Sequence, residues 1–559
     1  MTTTVEIEST GKYDFRIFLL ILSTLSLFMV CWFGPVSEYS GHDYYFNIGR
    51  LEILMQALKE GNYPIYLDYD TLEGYGYFTK GFYPDLILLP FAVIGLLVGS
   101  VSAYNILIFS LTFLCGLFMY KAVDVVFKNS FIASVSSILY TFSAYHLFDW
   151  YNRAALGESI SFTFLPLVFL GLYHILIGNY KKWYLLTIGY SLLLYTHLLS
   201  SFLTFLVIVI MLLLCCRKLI KEPKRIAFLL LAAVVTIPIV ASYLFPMLEQ
   251  MASNTFYYNT SENITGQTKL GLNELGWGML SGILYPKDNN ICGTGPLLII
   301  ILFLRLFIRE RSSYLKMADF CVLIGVLLLI MTSVLFPWGR LPLGFIQFPW
   351  RLYEFIIFFF SIGGAYYLSV ILRGKKQYNI AIGGIIIYSL LVMIINNENY
   401  KYWQTRAKKD VPEWFSGEPS ILNQYYKGGL EYLPSRVPTH GLMKERGDIV
   451  ISENLETQIS NLKKEKGMTS FDIEAHTSDK LELPLIYYKG YKAELDSKYI
   501  PIEQSDNGLI QLLVNESGSI RVYYAGTVIQ KISWYISLLS IVVFCIFIYI
   551  AKRRNESDI

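Results

Sequence analysis

Residues 17–34 read Ile17-Phe-Leu-Leu-Ile-Leu-Ser-Thr-Leu-Ser-Leu-Phe-Met-Val-Cys-Trp-Phe-Gly34, a run without a single charge. As a helix it would extend about 27 Å, close to the roughly 30 Å of a bilayer's hydrocarbon core. No small-residue cleavage site follows it, so the run reads as an uncleaved membrane helix and not as a signal peptide. Directly beyond comes Gly41-His-Asp-Tyr-Tyr-Phe-Asn-Ile-Gly-Arg50. If residues 43–59 are helical, Asp43, Asn47 and Arg50 share one face at spacings of four and three. Asp43 would then lie in the first turn, where the helix dipole favours the ionised form. Such an acid at a membrane surface suits a base acting on a lipid-linked substrate. The same residues also suit an N-capping acid at the head of an amphipathic helix lying on headgroups. His42 would tune Asp43 or face water.

Outward from this run the whole chain has membrane composition. Hydrophobic residues make up 54% of 559 positions and charged residues 16%, with the apolar residues gathered in long runs. A net charge of +3 gives no footing for a nucleic-acid partner. Basic clusters recur at Lys12/Arg16, Lys121/Lys128, Lys181/Lys182, Arg217–Arg225, Arg305–Lys316, Arg373–Lys376 and Lys552–Arg554. Putting all of them in the cytoplasm satisfies the positive-inside rule. The spans expected are then 17–34, 103–121, 129–147, 159–178, 183–199, 201–216, 226–244, 295–309, 318–336, 352–372, 379–396 and 530–551. The pair covering 183–216 reads equally as one long tilted helix. The stretch 84–101, interrupted by Pro84, Asp85, Pro90, Gly95 and Gly99, reads as an outer interfacial or re-entrant helix. Six cysteines fall inside spans and Cys292 in a loop, which supports neither a disulfide framework nor a cysteine metal site.

Three segments gather on the outer side. The first loop, 35–102, holds Asp43, the Asp68-Tyr-Asp70 pair and Gly74-Tyr-Gly-Tyr-Phe-Thr-Lys-Gly-Phe-Tyr-Pro84. The tyrosines suit either stacking on sugar rings or an interfacial aromatic belt. Asp68 and Asp70 are candidate hard-oxygen ligands for a divalent cation, the one possible cofactor. The second segment, Tyr151-Asn-Arg153-Ala-Ala-Leu-Gly-Glu158, brings an arginine and a glutamate to membrane depth. They would either brace the loop as a pair or hold a phosphate in the guanidinium fork. The third, Phe345-Ile-Gln-Phe-Pro-Trp-Arg351, carries an arginine on the side otherwise poor in basic residues. An anion is expected near it, from a substrate or from membrane lipid headgroups. His197 sits at an outer turn, as a packing residue or as a phosphate contact. The loop 245–294 reads as a lid or a structureless excursion.

After residue 396 short β-branched and aromatic segments alternate with turns such as Ser505-Asp-Asn-Gly508. A β-rich extracytoplasmic domain, a sandwich, is expected over 397–528, between a transmembrane domain 1–396 and a final helix with cytoplasmic tail 529–559.

Gly-x-Asp-x-x-Phe-x-x-x-Arg (Gly41 to Arg50), followed by Gly-Tyr-Gly-Tyr and Phe-Tyr-Pro, resembles a family of bacterial multi-span proteins described as related to 6-pyruvoyl-tetrahydropterin synthase. Tyr-x-Arg-x-Ala-x-x-Glu (Tyr151 to Glu158) and Gln-Phe-Pro-Trp-Arg (Gln347 to Arg351) resemble it too, although that family often has histidine where this chain has Asn47. Leu-Pro-x-x-Tyr-Tyr-x-Gly-Tyr-Lys-Ala (Leu483 to Ala493) is similar to the YfhO family. Both resemble the GT-C superfamily of integral-membrane glycosyltransferases. The resemblance implies a GT-C-like protein of about twelve spans in the bacterial plasma membrane, with a polyprenyl-phosphate-linked sugar donor and an acceptor in the cell envelope. It implies an essential acid in the first outer loop, which maps onto Asp43 as the catalytic base; Arg50, Arg153, Glu158, His197, Gln347 and Arg351 are the residues expected to bind the substrate beside it. A transporter or flippase of lipid-linked envelope precursors, and a non-enzymatic envelope assembly protein, are the alternative classes.

Overall fold

The structure is a computed structural model describing residues 15–36, 43–260, 268–285, 290–409, 432–437, 443 and 445–557. Gly41 and His42, and most of 400–445, lie outside the described residues. Among those described, seven helices are long and apolar enough to cross a membrane: Phe15–Phe33, Ser100–Phe127, Leu156–Leu176, Ser313–Met331, Pro349–Ile371, Lys375–Tyr402 and Val528–Ala551. Two bent pairs, Ser130–Thr141 with Ala144–Asn152 and Lys224–Ile239 with Ala241–Ser253, raise the number to nine. This is the architecture of a multi-pass membrane protein with a separate β-sheet region towards its C-terminus. Two of the expected spans, 183–199 and 295–309, fold shorter, while 201–216 keeps its length and starts three residues earlier. Segments 183–199 and 201–216 become helices Tyr184–Leu194 and Leu198–Leu214, broken at Tyr195–His197, and 295–309 becomes Pro296–Phe303 with a 3₁₀ turn. The interrupted stretch 84–101 forms a helix of ten residues, Leu89–Val98, about 15 Å long and so below spanning length.

The chain divides into two compact units. The first comprises Met1–Ile48, Val93–Ala233 and Glu262–Pro412. At its centre are Leu156–Leu176 and Tyr353–Ile371, each enclosed by other helices along nearly its whole length. Helix Ser100–Phe127 packs beside Ser130–Thr141 and Leu156–Leu176, and Ser313–Met331 lies along Tyr353–Ile371. Glycines set some of these approaches: a Cβ on Gly171 would lie 2.2 Å from the Leu186 backbone.

The second unit comprises Gly49–Ala92, Val234–Ser261 and Glu413–Ile559. Its β region is built of two antiparallel sheets. One has the strand order Ile451–Ser452, Asp479–Ile486, Leu509–Val514, Ile502–Gln504. The other runs Gln458–Glu465, Met468–Glu474, Gly518–Tyr524, Tyr491–Leu495, Lys498–Ile500. Strand Met468–Glu474 shows why: Thr469, Phe471 and Ile473 alternate inward, and Phe471 stands opposite Ile520. Burying each large apolar side chain there contributes about 2 kcal/mol. Compactness thus divides the chain elsewhere than at 396 and 528, because residues 49–92 and the final helix group with the β-sheet region. The Tyr/Gly segment explains the grouping. Tyr75, Tyr77 and Phe78 are fully buried, the Tyr75 carbonyl accepts from Ile486 N at 2.8 Å, and Phe78 packs on Tyr488.

Candidate functional site: a buried arginine–glutamate cluster beside Asp43

The two central helices of the first unit begin in the same way. Each is preceded by an arginine, Arg153 or Arg351, and carries a glutamate in its first turn, Glu158 or Glu354. The aligned peptide dipoles at each helix start stabilise a carboxylate there. The structure brings the two starts together. Glu158 Oε2 lies 2.9 Å from Arg153 Nη1 and 3.5 Å from Arg351 Nε, and Glu158 Oε1 accepts from the Tyr145 hydroxyl. Arg153 Nη1 also meets Asp149 Oδ1 at 2.5 Å, and its guanidinium covers the Trp350 ring. All four charged groups are more than nine-tenths buried. Glu354 accepts from Ser161 at Oε1 and from Ser200 at Oε2, the latter at 3.1 Å. His197 joins through its Nδ1, 2.9 Å from Ser200 Oγ, while capping helix Leu198–Leu214. Gly157 makes that approach possible, since a Cβ there would come within 2.9 Å of the His197 ring.

The backbone around this cluster departs from regular geometry at three points. Phe148–Asn152 is a π-helical turn, closed by Arg153 N–H to Phe148 O at 2.9 Å. Ala154 has φ 50° and Gln347 φ 63°, a region that costs an L-residue on the order of 1–2 kcal/mol. Four successive residues of the π turn each bury a polar atom without a hydrogen-bond partner among the described residues: Asp149 Oδ2, Trp150 Nε1, Tyr151 Oη and Asn152 Oδ1. Strained backbone and unsatisfied buried polar atoms concentrate at working sites.

Asp43 is fastened to this region. Its N–H donates to Arg153 O at 3.0 Å, and its own carbonyl accepts from Asn47 N–H at 3.0 Å, opening helix Tyr44–Glu60. Asn47 Nδ2 donates to Ala154 O at 2.9 Å and to Asp43 O at 3.0 Å. Asp43 itself is exposed, and its charge acts on the Arg153 guanidinium. An accessible carboxylate therefore stands at a helix N-terminus beside a buried arginine–acid network.

No family model matches the chain. It is similar to an uncharacterized protein of Lactococcus lactis subsp. cremoris (strain MG1363), 24% identical over 619 aligned residues that cover 99% of this chain and 98% of that one.

The remaining expected site residues fall elsewhere. Arg50, one turn beyond Asn47, donates to Pro84 O at 3.1 Å and lies 3.6 Å from Asp85, which Lys80 holds at 2.8 Å. These groups fasten the first loop inside the second unit. Asp68 is buried and spends both oxygens locally, accepting from Asp70 N–H at 2.8 Å and Thr71 Oγ1 at 3.0 Å. Asp70 is half-exposed and pairs with Lys466 at 2.5 Å. Among the described residues no third His, Cys, Asp or Glu joins the two in a metal-ligand group. Burial pushes the Asp68 carboxyl above its ordinary range, against its hydrogen bonds and the Lys80 charge, as suits a loop brace. The two arginines differ in how firmly they are held. Arg153 has short ionic bonds on both sides, whereas Arg351 reaches Gln347 Oε1 at 3.3 Å and Ile346 O and Glu158 at 3.5 Å. Asp149 and Glu354 did not figure among the expected residues, yet each is an acid within or at the end of an apolar run, the signal that could have found them.

Proposed function

We propose that the chain is an integral-membrane inverting glycosyltransferase, GT-C-like and of about twelve spans, that moves a sugar from a polyprenyl-phosphate donor to an envelope acceptor. The observation that carries this reading is Asp43, an exposed acid fixed by Arg153 O and Asn47 beside the buried cluster. Its carboxylate takes the proton of an acceptor hydroxyl while that oxygen attacks the anomeric carbon from the side opposite the phosphate. The new glycosidic C–O bond forms as the bond to phosphate breaks, the configuration inverts, and the polyprenyl phosphate leaves with the electron pair. Arg351, whose present contacts are long, offers donors to the departing phosphate, and Arg153 braces Glu158 and Asp149 behind it. The reaction then belongs to the extracytoplasmic face of a bacterial plasma membrane, with the β region on that side.

Transfer of radiolabelled sugar in membranes, compared between wild type and Asp43→Asn, tests the proposal. The variant inserts normally and keeps donor binding but loses transfer by about a hundredfold to ten-thousandfold. Near-normal turnover by Asp43→Asn would remove the base and the reading with it. One observation favours a second reading, a transporter or flippase of lipid-linked precursors. Ionisable groups are buried inside the bundle beside a helix pair bent by 40°. Movement of labelled lipid-linked precursor across vesicles, unaffected by Asp43→Asn and without covalent transfer, would favour that alternative.

A further inference from the structure

The second unit contains an open cleft of about 670 Å³, within the range of small-ligand sites. One wall is the face of helix Tyr44–Glu60 that carries Ile53, Gln56 and Glu60, at helical spacing. The start of the last helix adds Trp534 and Tyr535 to the lining, and Tyr66 lines it as well. The aromatic walls are held in place. Tyr66 Oη donates to Gln530 O at 3.2 Å, Gln530 Nε2 donates to Tyr524 Oη at 2.7 Å, and Tyr63 packs edge-on against Trp534. In the same lining Glu60 accepts from Gln56 and from Asn62, the latter at 3.2 Å, so amide and carboxylate groups cluster there.

Charge decides what this cleft fits. Its acids Glu60 and Asp70 are matched by Lys466 and Lys531, and Lys466 is already paired to Asp70. A phosphate-bearing ligand would meet as many carboxylates as ammonium groups in this lining, which gives its negative charge no net complement. A neutral sugar presents an apolar C–H face to aromatic rings and hydroxyls to side chains such as Gln56, Glu60 and Asn62. An interfacial aromatic belt would account for Trp534 and Tyr535 alone, and not for the amide–carboxylate cluster in the same lining.

We infer that this cleft is a carbohydrate-binding subsite for a neutral oligosaccharide. The inference does not rest on the transfer reaction, and its test reads binding directly. Full-length protein in phosphatidylcholine nanodiscs is titrated with maltopentaose, chitopentaose and a galactopentaose by calorimetry and saturation-transfer NMR. At least one binds, with the sugar ring C–H protons most strongly saturated. Glu60→Gln and Asn62→Ala, both at exposed positions, each weaken it about tenfold. Trp534→Ala abolishes binding while Trp534→Phe keeps it. Binding by none of the three sugars, binding indifferent to the Glu60 and Asn62 variants, or preference for glycerol phosphate over every neutral sugar would each overturn the inference.

Discussion

Five ionisable side chains, Asp149, Arg153, Glu158, Arg351 and Glu354, sit where desolvation costs several kcal/mol per ion, offset only by good partners. The geometry gives the two arginines different duties, and substitution separates them. Arg153→Ala leaves Asp149 and Glu158 without their shared cation and is expected to cost about 3–5 kcal/mol, read as lost thermal stability of the purified protein. Arg351→Lys is expected to leave the melting temperature near wild type while weakening donor binding, because a lysine keeps the charge but loses the fork. A stable Arg153→Ala or an unfolded Arg351→Lys would reverse the assignment. Asp68 offers a different check. Its folded pKa is raised by burial, so the carboxyl favours the folded state most below its ordinary value of 3.8, and this contribution is lost as pH rises through the folded value. Asp68→Asn, which still accepts from Asp70 N–H, is expected to match or exceed wild-type stability at pH 7, the difference closing towards pH 3. A large destabilisation at pH 7 would mean that the charged carboxylate has a partner its burial does not reveal. Arg153, Glu158, Gln347, Arg351 and His197 were legible in the sequence as separate oddities. Asp149 and Glu354 were not, because an acid near the end of an apolar run also reads as the edge of a span.

The entry of helix Tyr44–Glu60 depends on one amide. Asn47 Nδ2 donates to two carbonyls, one of them on the strained Ala154. Asn47→Ala leaves the buried Ala154 carbonyl without that donor, at a cost of about 1–3 kcal/mol. The expected result is an inserted protein with reduced transfer, together with faster hydrogen exchange at the N–H groups of the helix's first turn. Unchanged exchange and transfer would show that the main-chain bond from Asp43 to Arg153 suffices. The face shared by Asp43, Asn47 and Arg50 was legible from spacing alone. Their separate fates, Asn47 on Ala154 and Arg50 on Pro84 and Asp85, depend on partners about a hundred and about thirty-five residues away, which spacing does not reveal.

Helix Ser100–Phe127 has 28 residues and so extends about 42 Å, more than the hydrocarbon core it would cross. Ser102, near its start, and Lys128, at its left-handed C-cap, are therefore expected on opposite sides, with Lys128 on the side that collects the basic clusters. In intact cells an impermeant thiol reagent labels Ser102→Cys and leaves Lys128→Cys untouched. Labelling of both, or of Lys128→Cys alone, would break the topology in which the N-terminus and the basic clusters are cytoplasmic.

The sequence by itself determined that this is a membrane protein of many helices with a β-sheet region towards its end. Both properties are local: hydropathy over about twenty residues sets a span, and alternation over five to eight sets a strand. It also marked the segments around Asp43, Arg153 and Arg351. Only the tertiary structure decided that Glu158 lies within reach of both arginines, that the tyrosine-rich segment of the first loop is buried against the β-sheet region, and that 295–309 stops short of spanning length. The reason is physical. A charge at membrane depth is tolerated only with partners, and those partners come from residues as far as 193 positions away, whose approach depends on packing.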